Sequence, residues 1–270
     1  MTPPTRTILI TGASSGLGAA LAEHCAGPGI VLALTGRNAE RLAATALRCS
    51  AKGAKCHLQA FDVRDTATLI QWIGAVDAAN SIDLAILNAG LAATRANPDC
   101  GERPTEMLAQ IDTNLGGTLL AAQTIADLMA KRGRGHLALV SSLNGLFPVV
   151  EAPTYSATKA GIIAYADAIR DWLEPAGVSV TTICPGFVST GIAERYSGPR
   201  PLQISAQRAA AKIAAGLARR RRRLSFPLPL VASIYLSKIV PRFLRRRILS
   251  AYTAQLSPLG SNDTQKPSLP

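Results

Sequence analysis

Tyr155 and Lys159 stand four residues apart in an Ala-rich stretch, a spacing that puts both side chains on one face of a helix. An ammonium beside a phenol favours the phenolate and lowers its pKa, which would let Tyr155 give or take a proton near neutral pH. Taken alone, such a pair is common on ordinary helix surfaces. Its weight comes from its surroundings. Ser142 lies thirteen residues upstream, just past an apolar run, and Asn88-Ala89-Gly90 closes another such run. A phenol, a hydroxyl able to hold an oxygen and a lysine are the parts needed to move a proton at a carbonyl oxygen. Histidines, cysteines and carboxylates form no ligand-spaced cluster, so no metal is expected.

A second group is Thr11-Gly12-Ala13-Ser14-Ser15-Gly16-Leu17-Gly18, which joins a short apolar run to a helical one. Glycines there permit a tight turn, close approach of a pyrophosphate to backbone N–H groups, and close packing of helix on strand. The phosphates would rest on the positive end of the helix. Gly12 to Gly16 also reads as G-x-S-x-G, the nucleophile elbow of hydrolases. That elbow follows several earlier strands and needs a histidine late in the chain, whereas His24, His57 and His136 all come early. The hydrolase is disfavoured.

The nucleotide is chosen at the end of the second apolar run, where Thr35-Gly36-Arg37 stands. An acid there would hold a ribose 2′-hydroxyl. Its absence removes the repulsion of a 2′-phosphate, and Arg37 offers a guanidinium to pair with one. NADP(H) is therefore preferred and NAD(H) is the second choice. The plain alternative is that Arg37 is a solvated helix-start residue.

These groups need a scaffold. Apolar runs at Thr7–Thr11, Ile30–Thr35, Cys56–Phe61, Ile82–Leu87, Leu137–Ser141 and Val178–Cys184 alternate with helical patterns near 17–26, 39–52, 66–79, 105–131 and 155–174. Near-continuous apolar strands imply a parallel sheet covered on both faces. Strand–helix alternation with right-handed crossovers predicts an α/β fold, a Rossmann-type doubly wound sheet in a single domain. After Pro185-Gly186 the pattern changes: a Gly- and Pro-rich loop, a helix near 205–219, then five arginines from Arg219 to Arg223. The expected organisation is a nucleotide-binding domain over 1–223 with a substrate loop at 186–204. An apolar and basic extension would cover 224–256, and a frayed tail 257–270.

At 270 residues the chain is long enough for a sizeable core, and 48% apolar content excludes wholesale disorder. Five cysteines with no C-x-x-C pair exclude a disulfide scaffold or zinc module. Together with the lack of an apolar signal segment near Met1, they suggest a reducing, cytoplasmic setting. The formal charge of +12 is not spread evenly. Residues 1–195 hold 15 Lys/Arg and 16 Asp/Glu, whereas residues 196–270 hold 14 Lys/Arg and a single acid, Asp263. A neutral body with a basic tail suggests a surface-binding appendage rather than a nucleic-acid-binding body, and no nucleic acid is expected.

The chain closely resembles the short-chain dehydrogenase/reductase family in its compact one-domain form. The matching pieces are Thr11-Gly12-x-x-x-Gly16-x-Gly18, Asp62-Val63, Asn88-Ala89-Gly90, Asn114, Ser142, Tyr155-x-x-x-Lys159, and Pro185-Gly186 followed by Thr190, in the family's order across residues 6–190. Leu87 stands where the family often has a second asparagine. The resemblance implies that Tyr155 protonates the carbonyl oxygen while hydride arrives from the nicotinamide, and that Ser142 holds that oxygen. Lys159 would bind the nicotinamide ribose and lower the tyrosine pKa, and Asn114 would fix a water that completes a proton relay. Asp62 and Val63 would meet the adenine, and Asn88, Ala89 and Gly90 would shape the cofactor cleft. Thr11, Gly12, Ser14, Ser15, Gly16, Leu17, Gly18 and Arg37 would hold the phosphates. Pro185, Gly186, Val188 and Thr190 would hold the nicotinamide end, with Thr190 on the carboxamide. A homodimer or homotetramer through the helices of 105–131 and 155–174 is implied as well.

Around the expected site, Leu91, Ala92, Leu143, Leu146-Phe147-Pro148 and Phe187-Val188 favour a small apolar carbonyl or alcohol substrate, with Glu151 and Asn144 the polar exceptions. Carbonyl reduction is the leading function. An alcohol dehydrogenase working in the oxidative direction, or a non-catalytic nucleotide-binding membrane adaptor on the same fold, are the alternatives. Residues 224–240 are too short and Pro-broken to span a bilayer. With basic clusters across 219–247 they suit a peripheral anchor on an anionic membrane, or else a lid packed on the body.

Overall fold

In the first strand alternate residues go to opposite faces, which is why the sheet needs helices on both. The computed structural model describes residues 6–95, 100–191, 196–197, 200–239 and 255–256. In β1 (Arg6–Thr11) every residue after Arg6 is buried. Ile8 and Ile10 join one hydrophobic cluster and Leu9 joins another. In β2 (Ile30–Gly36) Leu32 and Leu34 follow the first pair and Ala33 the second. The first cluster is closed by Leu17 and Leu21 of α1 (Gly16–Cys25), Leu42 of α2 (Ala39–Ser50), and Ile213 and Leu217 of a helix at Ala206–Ala218. The second is closed by Leu69, Trp72 and Ile73 of α3 (Thr66–Ala79), Ile125 and Met129 of α5 (Gly117–Lys131), and Ile162 and Ala166 of α7 (Pro153–Leu173).

β3 (Lys55–Ala60), β4 (Ile82–Leu87), β5 (Gly135–Val140) and β6 (Val178–Pro185) complete the six expected strands, with a one-turn helix, α6 (Leu143–Leu146), following β5. A seventh strand, Arg223–Phe226, joins them, and the spatial order is seventh, β6, β5, β4, β1, β2, β3. All pairs in this sheet are parallel. The order reverses beside β1, whose neighbours are β2 and β4. The crevice at the carboxyl ends of β1 and β4 is therefore the place where such folds bind ligands.

Three features differ from the sequence-based expectation. β3 is an edge strand and mostly exposed, its Lys55, His57 and Gln59 marking a guarded edge rather than a buried run. The helix expected over 105–131 is broken into α4 (Pro104–Gln110), a π-helical turn at Ile111–Gly116, and α5. The third difference is the expected boundary at 223, which falls inside the seventh strand. Leu224 and Phe226 are buried in the first cluster, so the sheet continues into what was expected to be an extension. A helix at Leu228–Ile239 follows directly. The second arginine cluster (Arg242, Arg245–Arg247) and the tail 257–270 lie outside the described residues.

Candidate active site

β1 ends in the glycine turn, and its tightness is measurable. Gly12 has φ +70°, and a Cβ there would lie 2.8 Å from the Ala89 Cα. At Gly18 a Cβ would come within 2.1 Å of the Gly12 carbonyl oxygen. Only glycine lets the turn fold this closely onto the end of β4. Thr11 and Asn88 bolt the two strand ends together. The Thr11 hydroxyl accepts from the Asn88 and Ala89 amides at 3.0 Å each, and the Asn88 side-chain amide donates to the carbonyls of Thr11 and Gly12 at 3.2 and 3.3 Å. Ser15, at the mouth of α1, makes no side-chain cap, which leaves the first-turn amides to an outside acceptor. Thr190 lies against Gly16, and Ser14 lies against Gly36 at the end of β2. The Leu17 side chain is part of the core, so the contact with a ligand expected of this residue would come from its backbone. Val188 is likewise a core side chain, in a short strand that pairs with Ile204.

At the adenine end Arg37 is well exposed and reaches Asp62 only at 4.0 Å. Arg64, which the sequence reading passed over, grips the same carboxylate twice, at 3.1 and 2.8 Å. Those hydrogen bonds hold the Asp62 carboxyl below the usual carboxylate range. Val63 is buried against the start of α5, where its carbonyl oxygen would be 3.0 Å from a Cβ at Gly117.

The proton-handling groups meet where β4, β5, the π turn and α7 converge. Lys159 is buried at 4% exposure and donates to the Val140 carbonyl at 2.9 Å. Its ammonium is 5.7 Å from the centre of the Tyr155 ring. Gly90 lies beside it, since a Cβ there would be 3.5 Å from the Lys159 Nζ and 3.2 Å from the Asn114 Oδ1. Asn114 is fully buried in the π turn and pairs with both backbone groups of Leu91. The Ser142 hydroxyl accepts from the Asn144 amide at 3.1 Å and acts on the Tyr155 phenol, lowering its pKa. Pro185 ends β6, and Gly186 donates to the Phe226 carbonyl at 2.8 Å, which ties the loop after β6 to the seventh strand.

Without nucleotide, burial dominates the electrostatics of the pair. Burial pushes the half-buried Tyr155 phenol above its ordinary value, and the Ser142 hydroxyl works against that rise. Burial also pulls Lys159 down to about 8. In the protein alone the lysine is thus a weakened cation, and the phenol is held protonated rather than primed as phenolate.

Several residues that position these groups were not singled out in the sequence. The Ser141 hydroxyl donates to the Lys159 carbonyl at 2.7 Å, and Thr158 accepts from the Asn114 amide at 3.3 Å. Gly145 lets the turn after Ser142 lie on the α7 backbone, where a Cβ would be 2.7 Å from the Lys159 carbonyl. Glu102 accepts from the Thr154 amide at 3.0 Å at the first turn of α7. Ser141 adjoins Ser142 in sequence, which was a usable signal, whereas Glu102 carries none. The hydrolase alternative finds no support here. His136, the buried histidine, is bonded to Thr181 near the amino end of β5, the opposite end of the parallel sheet from Ser14.

A doubly wound parallel sheet whose switch point closes on a glycine turn and a tyrosine–lysine pair defines a nucleotide-dependent oxidoreductase of the Rossmann class. The family profile described as short chain dehydrogenase matches residues 6–200. An uncharacterized oxidoreductase of Myxococcus xanthus is 33% identical over 87% of this chain and 93% of its own length. The ketoacyl reductase HetN of Nostoc is 35% identical, covering 76% and 72%. Among solved structures, a short-chain dehydrogenase from Sphingobium yanoikuyae in complex with NADPH superposes with a TM-score of 0.76 at 25% identity, over 92% of this chain and 96% of the other. The chain belongs to the short-chain dehydrogenase/reductase family, and it is an NAD(P)-dependent oxidoreductase acting on carbonyl or hydroxyl groups. Among the described residues no helix is long and apolar enough to cross a membrane.

Proposed function

We propose that this protein is an NADPH-dependent carbonyl reductase acting on an apolar, lipid-like ketone or aldehyde. The observation that carries the reading is buried Lys159, its ammonium 5.7 Å from the centre of the Tyr155 ring, with the Ser142 hydroxyl acting on the same phenol. Ser142 and Tyr155 would hold the substrate oxygen between them. A phenol kept protonated by burial suits donation to the oxyanion that forms on reduction. Lys159 would bind the nicotinamide ribose. Asn114 would hold the water that returns a proton to the pair. The nicotinamide nucleotide, when bound, supplies the hydride.

The preference for NADPH rests on Arg37, exposed at the end of β2 with no carboxylate of its own strand end beside it. The Sphingobium relative was captured with NADPH, and HetN is described as a ketoacyl reductase, both in keeping with this direction. Leu91, Ala92 and Leu143 supply apolar surface next to the catalytic turn. The same reading carries self-association through the faces of α4 and α7, where Leu108 and Trp172 are exposed.

Calorimetry with NADPH and NADH on wild type and Arg37→Ala tests the cofactor. NADPH should bind more tightly, and Arg37→Ala should cost about tenfold in NADPH affinity with little change for NADH. Equal affinities would overturn the NADPH assignment. A carbonyl screen with NADPH then tests the substrate class.

A further inference from the structure

The helix at Leu228–Ile239 is apolar on more sides than the body covers. Leu230, Val231 and Ile234 pack against Leu143, Leu146, Ile163 and Cys184, on the turn that follows Ser142. A second face is open: Leu228 is 73% exposed, Leu236 65% and Tyr235 47%, with exposed Ala232 among them. A helix on a protein surface normally turns polar residues to that side. Here even the serines offer little. Ser233 donates to the Leu230 carbonyl at 2.8 Å and Ser237 to the Ile234 carbonyl at 2.7 Å, so both hydroxyls are satisfied within the helix.

Charge identifies the occupant. Fourteen Lys/Arg against the single acid Asp263 lie in residues 196–270. Of the arginines that precede the helix, Arg220, Arg222 and Arg223 are engaged with Ser179, Glu174 and Asp167. Arg219 and Arg221 are exposed. In the sequence Arg242 and Arg245–Arg247 follow the helix. A second copy of the chain on this face would bring arginine clusters against their own kind across a two-fold axis. An anionic lipid surface matches both the apolar stripe and the charge. The chain beyond the helix also returns to the site's side, because Gln255–Leu256 pairs with Tyr196–Ser197 in the loop after β6.

We infer that this face docks on an anionic phospholipid membrane, with Leu228, Tyr235 and Leu236 entering the headgroup boundary and the exposed Arg219 and Arg221 on lipid phosphates. The inner side of the same helix walls the turn after Ser142, so docking sets the substrate entrance against the bilayer, where apolar carbonyl compounds partition. The second statement rests on the carbonyl-reductase reading; the first does not.

The test is co-sedimentation of the full chain with phosphatidylcholine vesicles, with and without phosphatidylglycerol. Wild type should pellet with anionic vesicles and be released by molar salt. The double variant Leu228→Glu/Leu236→Glu should lose about tenfold or more in vesicle affinity while still binding NADPH, since both leucines are exposed. Arg219→Glu/Arg221→Glu provides a second variant, expected to weaken anionic binding alone. Wild type left in the supernatant, or a double variant that pellets equally, would overturn the docking. So would sedimentation velocity showing a dimer that the double variant dissolves, with no vesicle binding. Anionic vesicles should raise kcat/KM for a long-chain ketone in wild type but not in the double variant, and leave a water-soluble ketone unaffected. Equal rates despite vesicle binding would overturn the placement of the entrance. Vesicle binding without NADPH binding would sink the reductase reading and leave the docking standing.

Discussion

Asn114 and Leu91 hydrogen-bond to each other twice, the side-chain amide donating to the Leu91 carbonyl and its oxygen accepting from the Leu91 amide, both at 2.8 Å. The strand-end loop after Gly90 therefore borrows a side chain in place of a ladder partner. Asn114 reaches it because the helix opens into a π turn at that point, a distortion often found at functional sites. Asn114→Ala strands two buried backbone groups. It should destabilise the fold by about 2–4 kcal/mol in urea unfolding and lower kcat by more than about tenfold, because Leu91 beside Gly90 and Thr158 beside Lys159 lose their common hydrogen-bond partner.

Ser142→Ala removes the hydroxyl that counters the burial-driven rise of the Tyr155 pKa. The phenol then titrates higher. Reduction needs the protonated phenol, so the alkaline fall in kcat should move to higher pH, with a lower plateau. Tyr155→Phe should cost about 10²–10⁴ in kcat while NADPH affinity stays near wild type. pH–rate profiles of the two variants check both outcomes.

Gly18→Ala places a methyl 2.1 Å from the Gly12 carbonyl, backbone against backbone. The turn must open, and NADPH affinity should fall by about 10²-fold as the amides move off the phosphates. Calorimetry reads this directly, and circular dichroism should show the sheet intact.

His136 is buried against Thr181, and burial pulls its pKa from 6.5 down to about 4. Between those values the unfolded chain takes up a proton that the folded one refuses. Stability is therefore intact above pH 6.5 and falls as pH drops toward 4, by up to about 3 kcal/mol. His136→Gln should flatten this part of the acid limb. Urea midpoints at pH 7 and pH 4.5, compared between wild type and variant, measure the difference.

Much of the scaffold was legible because its signals are local. Ile82–Leu87 and Thr66–Ala79 match their expected ranges, and, apart from the broken helix of 105–131, the other expected strands and helices lie within two residues of theirs. The glycine turn was readable from spacing, since only a strand–turn–helix junction needs Gly12 and Gly18 together. Glu102 was not readable, because its partner Thr154 is fifty-two residues away. Arg64 was passed over although it adjoins the Asp62-Val63 motif, because arginine after such a pair reads as a surface residue until its two bonds to Asp62 are seen.

By itself the sequence determined the order of strands and helices, the turn that can cradle a pyrophosphate, and the four-residue offset of Tyr155 and Lys159. Periodicity and short-range sterics encode all of these. Tertiary structure decided that the arginine run leads into a seventh strand, with Arg223 ion-paired to Asp167 in α7. It decided that a π turn delivers Asn114 to Leu91, and that burial raises the Tyr155 phenol despite the lysine beside it. It also decided which side of the Leu228–Ile239 helix the body leaves open. Each of these depends on desolvation or pairing between segments far apart in the chain, and those free energies exist only once the segments have met.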